Sequence, residues 1–156
     1  MTTPIQRRPS AQQVTIAWLK TIPELNAADV ASTLALIKDW SGQDFIVAGV
    51  GLGGIPRQGM ATRFPVIQVD CFAKAPNSSR PAWNRASMSA EAILDATYGA
   101  GQSNTNLEIP GGFMAAYLSS VEAMSFPRRV ENDQAAIARY TLDVQMTYIP
   151  VGLVIV

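Results

Sequence analysis

Histidine is absent from this 156-residue chain, and Cys71 is its single cysteine. An internal disulfide is therefore impossible, zinc sites built from Cys and His cannot form, and serine–histidine or cysteine–histidine nucleophilic catalysis is excluded. Cys71 alternates with Ile67 and Val69 in VIQVDCFA, the placement of a buried strand thiol rather than of a nucleophile. Charge is scarce too: charged residues make up 15% of the chain, and twelve bases cancel twelve acids. Tight phosphate-neutralising binding to nucleic acid needs a basic excess, which this chain lacks. No apolar run approaches the ~20 residues of a membrane-crossing helix. MTTPIQRRPS has no apolar stretch behind Arg7 and Arg8, unlike a secretory signal. A soluble protein, made in a cytoplasm and without a membrane partner, is expected.

What is abundant is apolar surface, 48% of residues. That is far from a disordered composition, and a chain of this length buries roughly 70% of its unfolded surface as one domain. The combination of few charges and many apolar residues hints at a protein that lives inside an assembly. Nine of the twelve bases are Arg, the side chain suited to bidentate pairing at interfaces.

Periodicity then divides the chain. Ser10 is a natural N-cap for AQQVTIAWLKTI, in which Val14, Trp18 and Ile22, with Ala17, form one buried helical stripe that Pro23 ends. Residues 24–40 are ambiguous, with either a helical turn after Asn26 or a short strand around Val30 to Leu34. Strands are expected at 44–50 and 63–73. A second helix starts with Pro81 in its first position and carries the stripe Trp83, Ala86, Ala90, Ile93, Leu94, Thr97, until Gly99 and Gly101 stop it. A long Gly-rich loop over 99–112 precedes a strand over 113–126, and PRRVENDQ makes the return turn. In RYTLDVQMTY the residues Tyr140, Leu142, Val144, Met146 and Tyr148 face one way and polar residues the other, and Pro150 closes that strand. The pattern predicts an α+β fold: a mainly antiparallel sheet of about four strands with two helices packed on one face, plus long Gly-rich loops. Residues 1–9 are expected as a flexible segment, 10–150 as the single domain and 151–156 as an apolar tail.

The stretch VAGVGLGG offers Gly49, Gly51 and Gly54 in G-x-G-x-x-G spacing with Asp70 about 20 residues on, the outline of a dinucleotide site. Such a site needs a helix directly after the glycines and a crossover to a parallel strand. IPRQGMATRFP, broken by Pro56, Gly59 and Pro65, cannot hold both. The chain should instead double back as a hairpin arm, and no cofactor is expected. Gly53 and Gly54 then allow close backbone approach, with Ile55 as an apolar anchor beside Arg57 and Arg63. Gly111 and Gly112 invite the same two readings, a mobile tip or an arm that orders on contact. The tail VGLVIV, with Leu153, Val154 and Ile155, either closes the chain's own sheet or adds a strand to a neighbour. The scattered carboxylates form no catalytic pair, ENDQ lacks the Gly and distal Glu of a calcium loop, and no catalytic or metal-binding residues are expected.

VTIAWLKTIPEL, DFIVAGVGLGG, FPVIQVDCFAKA leading into the Trp83 helix, and FPRRVENDQAAIARYTLDVQMTYIP together resemble the tail terminator family of long-tailed bacteriophages, in the form seen in phages of actinobacteria. The resemblance covers most of residues 14–150. It implies a structural virion protein of the tail and neck: a ring of six copies that caps the tail tube, stops its polymerisation and meets the head's connector or stopper protein. DNA would pass through the lumen without specific binding, which suits a chain of no net charge. On this reading Arg57, Arg63, Arg128 and Arg129 are candidates for pairs between subunits. Another head–tail completion protein of the neck is the nearest alternative, and a nucleotide-dependent enzyme a more distant one.

Overall fold

A computed structural model describes residues 5–25, 28–31, 44–53, 61–75, 80–99, 103–109, 114–131 and 137–155, with backbone alone at 5–7, 50–52 and 152–155. Among the described residues two α-helices, α1 (Ala11–Leu19) and α2 (Trp83–Tyr98), and a 3-10 turn at Pro23–Leu25 join eight strands: β1 (Ile5–Arg7), β2 (Asp29–Ala31), β3 (Phe45–Gly53), β4 (Val66–Lys74), β5 (Thr105–Ile109), β6 (Met114–Ala123), β7 (Arg128–Val130) and β8 (Ile137–Ile155). The sheet runs β2-β3-β4-β8-β6-β5, with β1 and β7 also paired to β8. This corrects the expectation of a mainly antiparallel, four-stranded sheet. The sheet is mixed, because β2 lies parallel to β3, and it is curled and has eight strands among the described residues.

Each added strand has a local cause. The segment read as a Gly-rich loop contains β5, whose Leu107 and Ile109 are buried while Asn106 and Glu108 face out. Five residues are too few for a period-of-two signal to stand out between glycines. The return turn contains β7, which has only Arg128, Arg129 and Val130 to pair with β8. Pro150 does not end β8. The N–H groups of Met146 and Tyr148 point to the β4 side, donating to Pro65 and Arg63 carbonyls at 3.0 and 3.1 Å. By the same alternation a donor at position 150 would point to that side beyond the Arg63 bridge, so the proline costs that ladder none of these bonds. The strand runs on to pair residues 153–155 with Ile5–Arg7, which joins the two segments expected to lie outside the domain.

Both helices pack on the same face of the sheet. Ser10 caps α1 as expected: its hydroxyl accepts from the Gln13 N–H at 3.2 Å, and the Gln13 side chain accepts from the Ser10 N–H at 2.9 Å. Val14, Trp18, Leu19 and Ile22 are fully enclosed, each worth roughly 1.5–3 kcal/mol of transfer free energy. α1 packs against both β3 and β5, which stand far apart in the strand order. The sheet therefore curls until both flanks touch one helix, and Trp18 belongs to the core cluster that also holds Ile46 and Ala48 of β3 and Leu107 and Ile109 of β5. α2 begins at Trp83 rather than at Pro81, which instead bridges to Lys74. Its Ala86, Ala90, Ile93 and Leu94 pack on β4, β8 and β6.

Candidate interaction surfaces

The glycine stretch lies in β3 and at its end. Strands β3 and β4 are antiparallel, with Val47 opposite Asp70 and Gly53 opposite Val66, so the chain does double back and this is not the parallel unit of a dinucleotide fold. The register slips between Ala48 and Gly51 and again between Gly51 and Gly53, as bulges require. A Cβ on Gly49 would stand 3.2 Å from the Gln68 carbonyl oxygen, and Gly53 holds φ at +101°. Close approach at one position and backbone freedom at the other account for these two glycines. The bulge also leaves the Ala48 carbonyl to accept from the Gln12 side chain at 3.2 Å, tying β3 to α1.

Asp70 points away from the helices. It accepts from Arg139 Nε and Nη2 at 3.2 and 3.0 Å and from Gln68 Nε2 at 3.2 Å, beside Phe45, Val47 and Phe72, a small apolar cluster on that outer face. Its job is to hold β8 against β4 in the sheet. Cys71 lies on the inner face, and burial, with Asp70 and Asp44 nearby, pushes its thiol up. That disfavours the nucleophilic thiolate.

The expected contact residues separate. Gly53 is exposed at the end of β3. Gly54, Ile55, Arg57, Gly111 and Gly112 lie outside the described residues. Arg128 pairs with Asp143 at 3.3 Å, and Arg129 pairs with Glu131 at 3.1 Å while its guanidinium lies 3.7 Å over the Trp83 ring. Trp83 in turn meets Tyr140 edge-on at 6.2 Å. Both arginines of the turn thus have partners within their own chain, and Arg129 helps clamp the start of α2 to β7 and β8. Arg63 is exposed. Its backbone bridges Tyr148, and its side chain hydrogen-bonds the Tyr148 hydroxyl, opposing the upward shift that burial imposes on that phenol. Leu153, Val154 and Ile155 pair through their backbones with Arg7, Gln6 and Ile5.

Sequence reasoning missed the most exposed apolar residues. Tyr98 is 74% and Phe126 76% exposed, with Met88 and Met124 also largely in solvent. Tyr98, Met124 and Phe126, with Leu94, Ala123 and Ser125, line an open cleft of about 230 Å³ between the C-terminal half of α2 and the β6–β7 connection. The available signal was an aromatic residue set beside a breaker, Tyr98 before Gly99 and Phe126 before Pro127, off the apolar stripes of their elements.

Among the described residues no helix is long and apolar enough to cross a membrane, and no group of three or more Cys, Asp or Glu could hold a metal ion. A scan against protein-family models matches none, and a search of curated proteins finds no match.

Proposed function

We propose that this chain is a structural virion protein, a ring-forming tail terminator that caps a phage tail tube and joins it to the head connector. The observation that carries the reading is apolar surface left open: Tyr98, Met124 and Phe126 are each more than half exposed and line one cleft, and exposed apolar groups gathered at one site mark a contact with another macromolecule. The segments that carry the family resemblance also fall on α1, β3, β4, β7 and β8, the elements that build the curled sheet. The hairpin arm formed by β3 and β4 supports it further, since its glycine end suits an element that settles onto a neighbouring subunit or the tube. A chain of no net charge would let DNA slide through a lumen, where a basic wall would hold it. The test is tail assembly from tube protein with and without this chain, measured by electron microscopy. Uniform tubes in its presence and overlong tubes in its absence are expected. Uniform tubes without it, together with DNA-filled heads that leak, would assign it to the neck as a completion protein instead.

A further inference from the structure

One border of the sheet is β5, which pairs with β6 and with no other described strand. The ladder fixes which of its backbone groups face outward. Tyr148 exchanges both backbone bonds with Arg63, at 2.8 and 3.1 Å. Alternation then turns the groups of Ile149 and Val151 the other way, to Tyr117 and Ala115 of β6. Ala116 and Met114 face onward to β5, opposite Leu107 and Ile109. The N–H and C=O groups of Asn106 and Glu108 are left on the far edge, where no group among the described residues bonds them. Helix α1 packs on β5, but its glutamines are engaged elsewhere, Gln12 with Ala48 and Gln13 with Ser10. Both edge side chains are exposed. Backbone groups without a protein partner belong in water, and an edge of this kind templates strand addition.

We infer that this edge pairs antiparallel with β5 of a second copy of this chain, about a two-fold axis at Leu107. In that register Asn106 of each copy stands opposite Glu108 of the other, and each such pair exchanges both of its N–H···O=C bonds. On the outer face the Asn106 amide donates to the Glu108 carboxylate across the joint, a charge-assisted bond made once on each side of the axis. Leu107 stands opposite itself on the inner face, apolar against apolar. Other registers fit worse. A centre at Glu108 sets two carboxylates against each other. A centre at Asn106 sets Glu108 opposite Asn104, which leaves strand geometry at φ +50°. The other border of the sheet, β2, is a poor partner: Asp29 turns its N–H to Asp44 at 2.9 Å, so Val30 alone faces outward. Asp29 also stands beside Phe45 on the outer face, the same side as Glu108. A surface paired with itself closes at two chains, so this is a different contact from that of a ring. The inference goes beyond the tail-terminator reading and does not rest on it.

The experiment uses the full-length chain, with sedimentation equilibrium for association and amide hydrogen exchange by NMR for the site. The wild type should dimerise as concentration rises, and the Asn106 and Glu108 amides should become protected with it. The Leu107 amide, bonded to β6, should be protected at every concentration. Glu108→Pro removes an N–H that faces the open edge and breaks no bond to β6, so it should fold and stay monomeric, with thermal melting as the check. Asn106→Asp sets two carboxylates opposite each other on both sides of the axis and should weaken dimerisation, whereas Asn106→Lys should tighten it, each by about 2- to 30-fold. A wild type that stays monomeric overturns the inference. So does an oligomer whose Asn106 and Glu108 amides exchange freely, or one that Asn106→Asp and Asn106→Lys leave unchanged. Protection that appears only when tube protein is added assigns the edge to a foreign strand and overturns it as well. The tube-length assay judges the terminator reading separately.

Discussion

Replacing Trp18 with Ala tests whether α1 really closes the curled sheet. Trp18 is fully buried on the helix that packs against both β3 and β5, in the core cluster that also holds Ile46, Ala48, Leu107 and Ile109, so the void left by its indole has walls within that cluster. Those walls are tied by the β3–β4–β8–β6–β5 ladders and cannot collapse far inward. Removing a large aromatic from such a site costs about 3–5 kcal/mol, against a total stability of about 5–15 kcal/mol for a domain. At about 2–4 °C per kcal/mol for a chain of this size, the melting temperature should fall by roughly 6–20 °C. Urea denaturation and calorimetry read this directly. Met88→Ala, at a side chain 70% exposed, is the control and should stay within about 0.5 kcal/mol. A loss at Trp18 below about 1 kcal/mol would mean that the helix lies loosely over one flank, and the closed-sheet account would fail.

Two further perturbations probe the outer and inner faces of the central strands. Asp70→Ala leaves Arg139 beside Phe72 without its carboxylate, and because the Arg139 side chain keeps 29% exposure, the cost should be about 2 kcal/mol, under the 3–5 of a fully buried pair; denaturant midpoints of the single and double Asp70/Arg139 variants would show a coupling near zero if the pair does not hold the strands. Cys71 should resist thiol reagents in the native state and react only on unfolding, and rapid labelling of the folded protein would contradict its burial. The same thiol, raised in the fold above its ordinary value of 9.0, keeps its proton while the unfolded chain loses it. Its contribution is intact below pH 9 and declines as pH rises further, by up to about 1.4 kcal/mol per unit; Cys71→Ala should flatten that part of the stability profile.

Local chemistry made α1, α2 and the centre of β8 legible before any coordinates. The Ser10 cap, the Val14–Trp18–Ile22 spacing and the alternation from Tyr140 to Tyr148 are all written within one element, so a period alone reveals them. The antiparallel return after the glycines was legible for a similar reason, since the span between Gly54 and Pro65 is too short and too broken for a crossover helix. The partners of Arg128 and Arg129 were not legible, because Asp143 reaches Arg128 only once β7 lies against β8, and Trp83 reaches Arg129 only once α2 has docked.

What the sequence determined by itself was which residues turn inward within each long element, because periodicity is a property of neighbours along the chain. Only the tertiary structure decided how many strands join the sheet and how far it curls. Short strands such as β2, β5 and β7 draw their stability from the ladder beside them, and a proline is tolerated or forbidden according to which side of the strand its missing donor would face. The exposed cleft of Tyr98, Met124 and Phe126 belongs to the same class, since exposure depends on what the finished fold leaves uncovered.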